Sequence, residues 1–163
     1  RAEMATSTLV QFLGDGVTTP SGIGADSSNR RQVETFIAGG AIASGDWVSL
    51  DVSKTGADKA LYVIEAPATA SDARCIGVAL AAAAAAGEQV RVCIAGYVAE
   101  ANVATGTGIG QALTPNGTAG RVGPAEYIGN GSGAAAVRIP TVCGVTLTLA
   151  AANKAEVMVK KQF

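Results

Sequence analysis

Two stretches of the chain repeat one another, and that match limits the fold more than any other feature. CIGVALAAAAAAGEQVRVCI (Cys75–Ile94) aligns with VCGVTLTLAAANKAEVMVKK (Val142–Lys161), so that Gly77, Val78, Leu80, Val90 and Val92 recur as Gly144, Val145, Leu147, Val157 and Val159. Each pair is 67 positions apart (144 − 77). What recurs is a glycine, two alternating β-branched runs and a small-residue connection, and no reactive side chain recurs with them. A repeated packing unit of this kind points to a building part and not to a catalyst. A fainter echo lies upstream, where Ile42-Ala43-Ser44-Gly45 resembles Val103-Ala104-Thr105-Gly106.

The repeat sits in a chain whose apolar residues follow a period of two. In GDWVSLDV (Gly45–Val52), Trp47, Ser49 and Asp51 share one face, and Val48, Leu50 and Val52 share the other. Ala60–Glu65, Ile76–Leu80, Val90–Val98, Ile109–Leu113, Val137–Ile139, Cys143–Leu149 and Glu156–Lys160 read as further short strands, each bounded by glycine, asparagine, aspartate or proline. In Val90–Val98, the pattern places Val90, Val92, Ile94 and Val98 on one face and Arg91 and Cys93 on the other. The run Ala81–Ala86 has high helix propensity, but so short a helix is unstable alone. Its counterpart in the second copy (Leu149–Lys154) reads as a turn, so a loop or at most one helical turn is expected in both. Two related halves of short strands predict an all-β fold, a compact β-barrel or sandwich with an internal two-fold repeat.

Residues 1–38 are set apart. LGDGVTTPSGIGADSSNR (Leu13–Arg30) is glycine, serine and threonine with little to pack. Apolar islands flank it, Leu9-Val10 with Phe12-Leu13 on one side and Val33 with Phe36-Ile37 on the other. This is the pattern of an extended N-terminal arm over residues 1–38, followed by a β-domain over residues 39–163. The expected anchors on a partner are Leu9, Val10, Phe12, Leu13 and Phe36, with Arg30 and Arg31 placed to meet a neighbour's carboxylates. Met4-Ala5-Thr6 reads as a natural start, with Arg1-Ala2-Glu3 before it, and no signal-peptide pattern is visible.

The chemistry is sparse. There is no histidine, which removes Ser-His-Asp and Cys-His arrangements and histidine-dependent metal sites. Asp46 and Asp51 form a conceivable carboxylate pair, but both lie beside turns, where aspartate commonly serves the backbone. Gly106-Thr107-Gly108-Ile109-Gly110 falls short of a phosphate-cradling fingerprint. Cys75, Cys93 and Cys143 have no CxxC spacing; Cys75 and Cys93, within apolar runs, read as buried free thiols in a reducing cytoplasm, with a Cys75–Cys143 disulfide as the alternative. Asn116-Gly117-Thr118 and Asn130-Gly131-Ser132 read as turns before they read as glycosylation sites. A net charge of −1 speaks against a nucleic-acid binder, which needs a basic face, and no apolar run is long enough to span a bilayer as a helix. No enzyme activity, cofactor or metal is expected. Charged residues make up only 15% of the chain, so a partner could cover its surface with little charge to desolvate.

Taken in order, GDWVSLD, RCIGVALAAAAAAGEQVRVCIAGYV (Arg74–Val98), TGTGIGQALT (Thr105–Thr114) and CGVTLTLAAANKAEVMVKKQF (Cys143–Phe163) resemble the capsid cement, or head decoration, proteins of tailed bacteriophages. The resemblance covers roughly Ala38 to Phe163 and is carried by structural motifs. The chain departs from that family's pattern at Trp47, and in the second copy, where Asn153-Lys154 replaces the Ala-Gly of the first. The resemblance implies a homotrimer made in the host bacterial cytoplasm and carried on the outer surface of the virion. There it would lock major capsid protein subunits together, with no nucleic acid or membrane as partner. A competing reading is a carbohydrate- or receptor-binding β-module of a tail fibre, for which Trp47 with Asp46 and Asp51 is the one candidate sugar platform. A biotinyl or lipoyl carrier would need a lysine in an attachment motif at a hairpin tip, which is not found.

Overall fold

β-Branched runs broken by glycine, aspartate and proline can extend for only a few residues before the chain must turn. The computed structural model describes residues 31–68, 72–125 and 141–162, and among them nine strands follow in order. They are β1 (Gln32–Ala38), β2 (Trp47–Leu50), β3 (Tyr62–Glu65), β4 (Cys75–Ala79), β5 (Gln89–Asn102), β6 (Ala112–Pro115), β7 (Val122–Pro124), β8 (Gly144–Thr146) and β9 (Lys154–Val159). A short 3-10 turn at Gly56–Ala60 precedes β3. The all-β expectation is met. Of the expected strands, Val137–Ile139 lies outside the described residues, and Ile109 proves to sit in an exposed turn before β6.

The strands form two connected sheets that share β5. In the first, the order β1-β3-β2-β4-β5 closes on itself because β5 also pairs with β1, giving a five-stranded barrel. All its pairings are antiparallel except β1 with β3. The second sheet has the order β5-β9-β8-β6-β7. β5 is 14 residues long, and its first half closes the barrel while its second half pairs with β9. Gly96, between the two halves, has φ +103°, a conformation that side chains other than glycine rarely adopt. The bend there breaks the predicted face of β5. Val90, Val92 and Ile94 fill the barrel, whereas Val98 packs in the second core beside Cys93.

There are accordingly two cores. Phe36, Ala38, Val48, Val63, Ile76 and the first half of β5 fill the barrel. Trp47, Cys75, Val78, Leu113, Cys143, Val157 and Val159 lie between the barrel wall and the second sheet. The alternation read in β2 is correct, but both of its faces are buried: Val48 points into the barrel and Trp47 into the second core, each at 0% exposure.

The repeat is structural. Its two copies form the β4–β5 and β8–β9 hairpins. Ala81–Ala86 is a loop, as expected, tied down by a bridge from Ile42 to Ala83 and by the Glu88 carboxylate accepting the Ala84 N–H. Its counterpart closes as a tight turn with Ala152 and Asn153 at φ +49° and +61°, and Ala151 and Lys154 exchange backbone hydrogen bonds across it. The upstream echo also holds. Gly45 N–H donates to the Ala79 carbonyl and Gly106 N–H to that of Ala150, with the Ala79 and Ala150 N–H groups donating back to Asp46 and Thr107.

The arm boundary needs correcting. Residues 32–38 are a barrel strand and so belong to the β-domain, while residues 1–30 of the expected arm of residues 1–38 lie outside the described residues. In β1, which pairs with β3 and β5, only Phe36 and Ala38 are buried.

Candidate interaction surface

Carboxylates in a chain without histidine are the first place to look for chemistry, and here they are occupied by structural contacts. Asp46 accepts the Ala43 N–H at 2.7 Å and an Asn102 side-chain N–H, closing its own turn. Asp51 accepts the Ser53 N–H and Oγ–H, at 3.0 and 2.6 Å, and this hydroxyl chiefly holds its carboxyl below the usual range. Burial pushes the Asp72 carboxyl up, but hydrogen bonds from the Arg74 guanidinium and backbone and from Ser49 outweigh it and leave its pKa lowered. Asp46 and Asp51 thus serve the backbone, as their places beside turns predict.

Glu65 is the exception. It lies opposite Val48 in β3 and shares a hydrogen bond with Asp46. Burial, then the neighbouring Asp46 carboxylate, raise its pKa. The folded state therefore holds this proton more tightly than the unfolded chain. The resulting stabilisation is complete below the unfolded value of about 4.3 and is lost as pH rises through the raised folded value. Glu65→Gln keeps a donor toward Asp46 and removes the charge. It is expected to raise the thermal midpoint by about 2 °C at pH 7 and to leave it unchanged at pH 4. An equal shift at both pH values would mean that the proton is not the cause.

The expected anchors are distributed as follows. Leu9, Val10, Phe12, Leu13 and Arg30 lie outside the described residues. Arg31 is half-buried where β1 begins. Phe36 is 7% exposed and belongs to the barrel core, so it is not an anchor on a separate arm. With Glu34, Leu50 and Ala60 it lines a cavity of about 260 Å³, which offers a single carboxylate. Trp47, on which the sugar platform rested, is fully buried and cannot stack on a sugar. Among the described residues, no group of three or more His, Cys, Asp or Glu side chains gathers where a metal could sit.

The surface that sequence reading missed is the outer face of the second sheet. Cross-strand register places Tyr97 beside Met158, Met158 beside Val145, and Val145 beside Ala112, and Ala125 N–H donates to the Ala112 carbonyl at the far edge. Five apolar or aromatic side chains therefore form a row across β5, β9, β8, β6 and the end of β7, close enough to act as one surface. Met158 is 39% exposed, and Leu147, two residues along the same face of the hairpin, is also 39% exposed. Ile109 and Leu149 extend the apolar surface from the adjoining loops, which Gly106, Thr107 and Gly110 bond to Ala150 and Thr146. Burial and then the Glu156 carboxylate raise the Tyr97 pKa. The signal was present in the sequence: residues 154, 156, 158 and 160 alternate with buried Ala155, Val157 and Val159, and Met158 breaks an otherwise charged outer face.

The first described strand begins close to this row. Gln32 pairs with Ala95, two residues before Tyr97, and its side-chain oxygen accepts from Lys161 at 3.3 Å. The end of β9 and the start of β1 thus meet end to end along one edge of β5.

No family model and no curated protein matches this chain. Among solved structures, it is similar to the N base of the head fiber gp8.5 of bacteriophage phi29, with a TM-score of 0.49 and 17% sequence identity, over 81% of this chain and 95% of that one.

Proposed function

We propose that this chain is a structural virion protein of a tailed bacteriophage. In this reading it is a capsid cement protein that binds the outer surface of the head and holds neighbouring major capsid protein subunits together. The observation that carries the reading is the apolar row from Tyr97 through Met158 and Val145 to Ala112, in which Met158 is exposed and the other three are half-buried. It lies on a sheet whose other face is packed against a closed barrel, while Asp46, Asp51 and Asp72 are engaged in turns or an ion pair. The sequence resemblance over Ala38–Phe163 supports the same assignment. A barrel closed through β1 leaves that sheet with few unpaired strands of its own, which suits a rigid platform carried on a shell.

The row supplies apolar area to be desolvated against a capsid subunit, and the sparse charge of the chain keeps the polar cost of that contact low. The arm, beginning beside the row, adds Leu9, Val10, Phe12 and Leu13 as anchors on the next subunit and Arg30 and Arg31 as partners for its carboxylates. Extended arm segments can bind by adding a strand to an exposed edge, where the backbone supplies the hydrogen bonds. A homotrimer on the shell turns modest single contacts into firm attachment by multivalency.

The test uses phage heads assembled without this chain, purified protein added back, and occupancy read by electron microscopy. Met158→Asp places an unpaired charge in the contact and is expected to weaken binding at least about tenfold. Deletion of residues 1–30 is expected to do the same. Both variants should melt within about 2 °C of the parent, since Met158 is exposed and the deletion leaves β1 whole. Undiminished occupancy with both variants would overturn the proposal.

A further inference from the structure

The barrel core continues toward an open rim at one end. On β2 the inward-facing row runs Val48, Leu50, Val52, and on β3 it runs Val63, Leu61, because Leu50 pairs with Val63 and the Asp51 N–H donates to the Tyr62 carbonyl at 2.8 Å. On β1 the row runs Ala38, Phe36, Glu34, with Phe36 opposite Val90 and Glu34 opposite Val92 of β5. β1 and β3 are parallel and β2 is antiparallel to β3, so the start of β1, the end of β2 and the start of β3 lie at the same end. Val52 and Leu61 are therefore rim residues, and they stand 49% and 51% exposed. Among the described residues they are the exposed large apolar side chains that the surface of the second sheet does not account for. At this end lies the cavity of about 260 Å³ lined by Glu34, Phe36, Leu50 and Ala60.

The lining is apolar except for one charge. The Glu34 carboxylate accepts a Gln32 side-chain N–H at 2.9 Å, and the Gln32 oxygen in turn accepts from Lys161 at 3.3 Å. These contacts orient the carboxylate without neutralising it. Among the described residues no cation pairs with Glu34, whereas Lys54 is held by Asp51 at 3.8 Å and by the Tyr62 ring at 4.7 Å, and Arg74 by Asp72. The mouth of a β-barrel is a common place for a binding site, but this volume falls below the range of about 300–1,000 Å³ that small-molecule sites occupy. It suits one long side chain. An apolar shaft ending at a carboxylate is complementary to a methylene stem that carries a cationic head.

We propose that the barrel mouth is a docking site for one basic side chain, lysine or arginine, of a partner protein. The stem lies against Phe36 and Leu50, the head meets Glu34, and apolar residues beside it in the partner cover Val52 and Leu61. The site shares no residue with the row on the second sheet, so it stands whether or not that row binds a shell.

The experiment titrates the isotope-labelled full chain with acetyl-Leu-Arg-Leu-amide, followed by nuclear magnetic resonance, and repeats it with glutamate in place of the peptide's arginine. Saturable shifts are expected at Glu34, Phe36, Leu50 and Leu61 for the arginine peptide, with binding at least about tenfold weaker for the glutamate peptide. Glu34→Gln keeps an exposed position polar and should melt within about 2 °C of the parent. It is expected to reduce the preference for arginine to about threefold or less. Absence of saturable shifts, shifts centred on Tyr97 and Met158, or a preference that survives Glu34→Gln would each overturn the proposal. So would three other occupants. Binding of n-butylguanidinium as tight as that of the peptide would make the mouth a small-cation site. Peptide binding seen only after removal of residues 1–30 would assign the mouth to the chain's own N-terminal segment. Self-association abolished by Glu34→Gln would assign it to a second copy.

Discussion

Trp47→Ala is expected to remove about 4 kcal/mol of stability, a drop in the thermal midpoint of roughly 8–16 °C. The indole is fully buried in β2, where Trp47 pairs with Val78 of β4, and it reaches from the barrel wall to the second sheet. A Cβ built on Gly144 of β8 would stand 2.9 Å from the Trp47 ring. The ring thus fills the space between two sheets that touch through few other large side chains, since valines, alanines and cysteines make up most of that core. Truncation opens a cavity lined by both sheets, which cannot collapse onto it without breaking strand pairing. Trp47→Phe separates volume from polarity. The indole N–H is buried without an acceptor among the described residues, at a cost of about 1–3 kcal/mol. Phenylalanine removes that cost while keeping most of the ring, so it should lose less than half of what alanine loses. Urea denaturation of both variants checks the order, and a loss under about 1 kcal/mol for alanine would show that the two sheets do not depend on this wedge.

The repeat shows how much of this fold can be read from residues alone. Its glycines and valines predicted paired strands joined by small-residue connections, and both hairpins formed. What the offset could not give is register. Val78 pairs with Cys93, but its counterpart Val145 pairs with Met158 and not with Lys160, so the second hairpin has slipped by two residues. A slip of two keeps every side chain on its face, and the repeat in sequence survives a change in pairing it cannot report. Ring closure was hidden for a different reason. Gln32–Ala38 shows polar residues at Gln32, Glu34 and Thr35 and pairs with β5, more than fifty positions away, so nothing local marked it as a barrel strand. The alternation put Ser49 on one face with Trp47 and Asp51 without telling whether that face meets water; Ser49 is fully buried, its hydroxyl donating to Asp72, 23 positions distant. As for the candidate surface, the apolar islands at Leu9–Leu13 expected as anchors lie outside the described residues, whereas the row on the second sheet depends on aligning Tyr97, Met158, Val145 and Ala112 from four strands, which only the fold brings together.

The two glycines that the repeat places in equivalent positions make the last prediction, because they are needed for different reasons. Gly77 sits at a bulge in β4. Val48 pairs with Gly77 and Ser49 with Cys75, which leaves Ile76 as the extra residue, and Ile76 already fills the barrel there. A Cβ on Gly77 would overlap the Cys93 carbonyl and approach the Val92 side chain to 2.9 Å. That carbonyl belongs to β5, which is held on this edge by the Val78–Cys93 and Ala79–Val92 pairs and on its other edge by β1. It cannot retreat without opening the barrel. Gly77→Ala is therefore expected to cost about 3 kcal/mol or more and to lower the midpoint by about 10 °C. Gly144→Ala would meet the Trp47 ring and the Met158 carbonyl, both at 2.9 Å. Part of that clash can be relieved by a shift of the ring, so the loss should be smaller, about 1–2 kcal/mol. Gly40 has open space at its Cβ position, and Gly40→Ala should stay within about 0.5 kcal/mol of the parent. Thermal and urea melts of the three variants should rank them in that order. A Gly77→Ala protein as stable as Gly40→Ala would mean that β4 and β5 do not approach as closely as the barrel requires, and the closed ring would have to be abandoned with it.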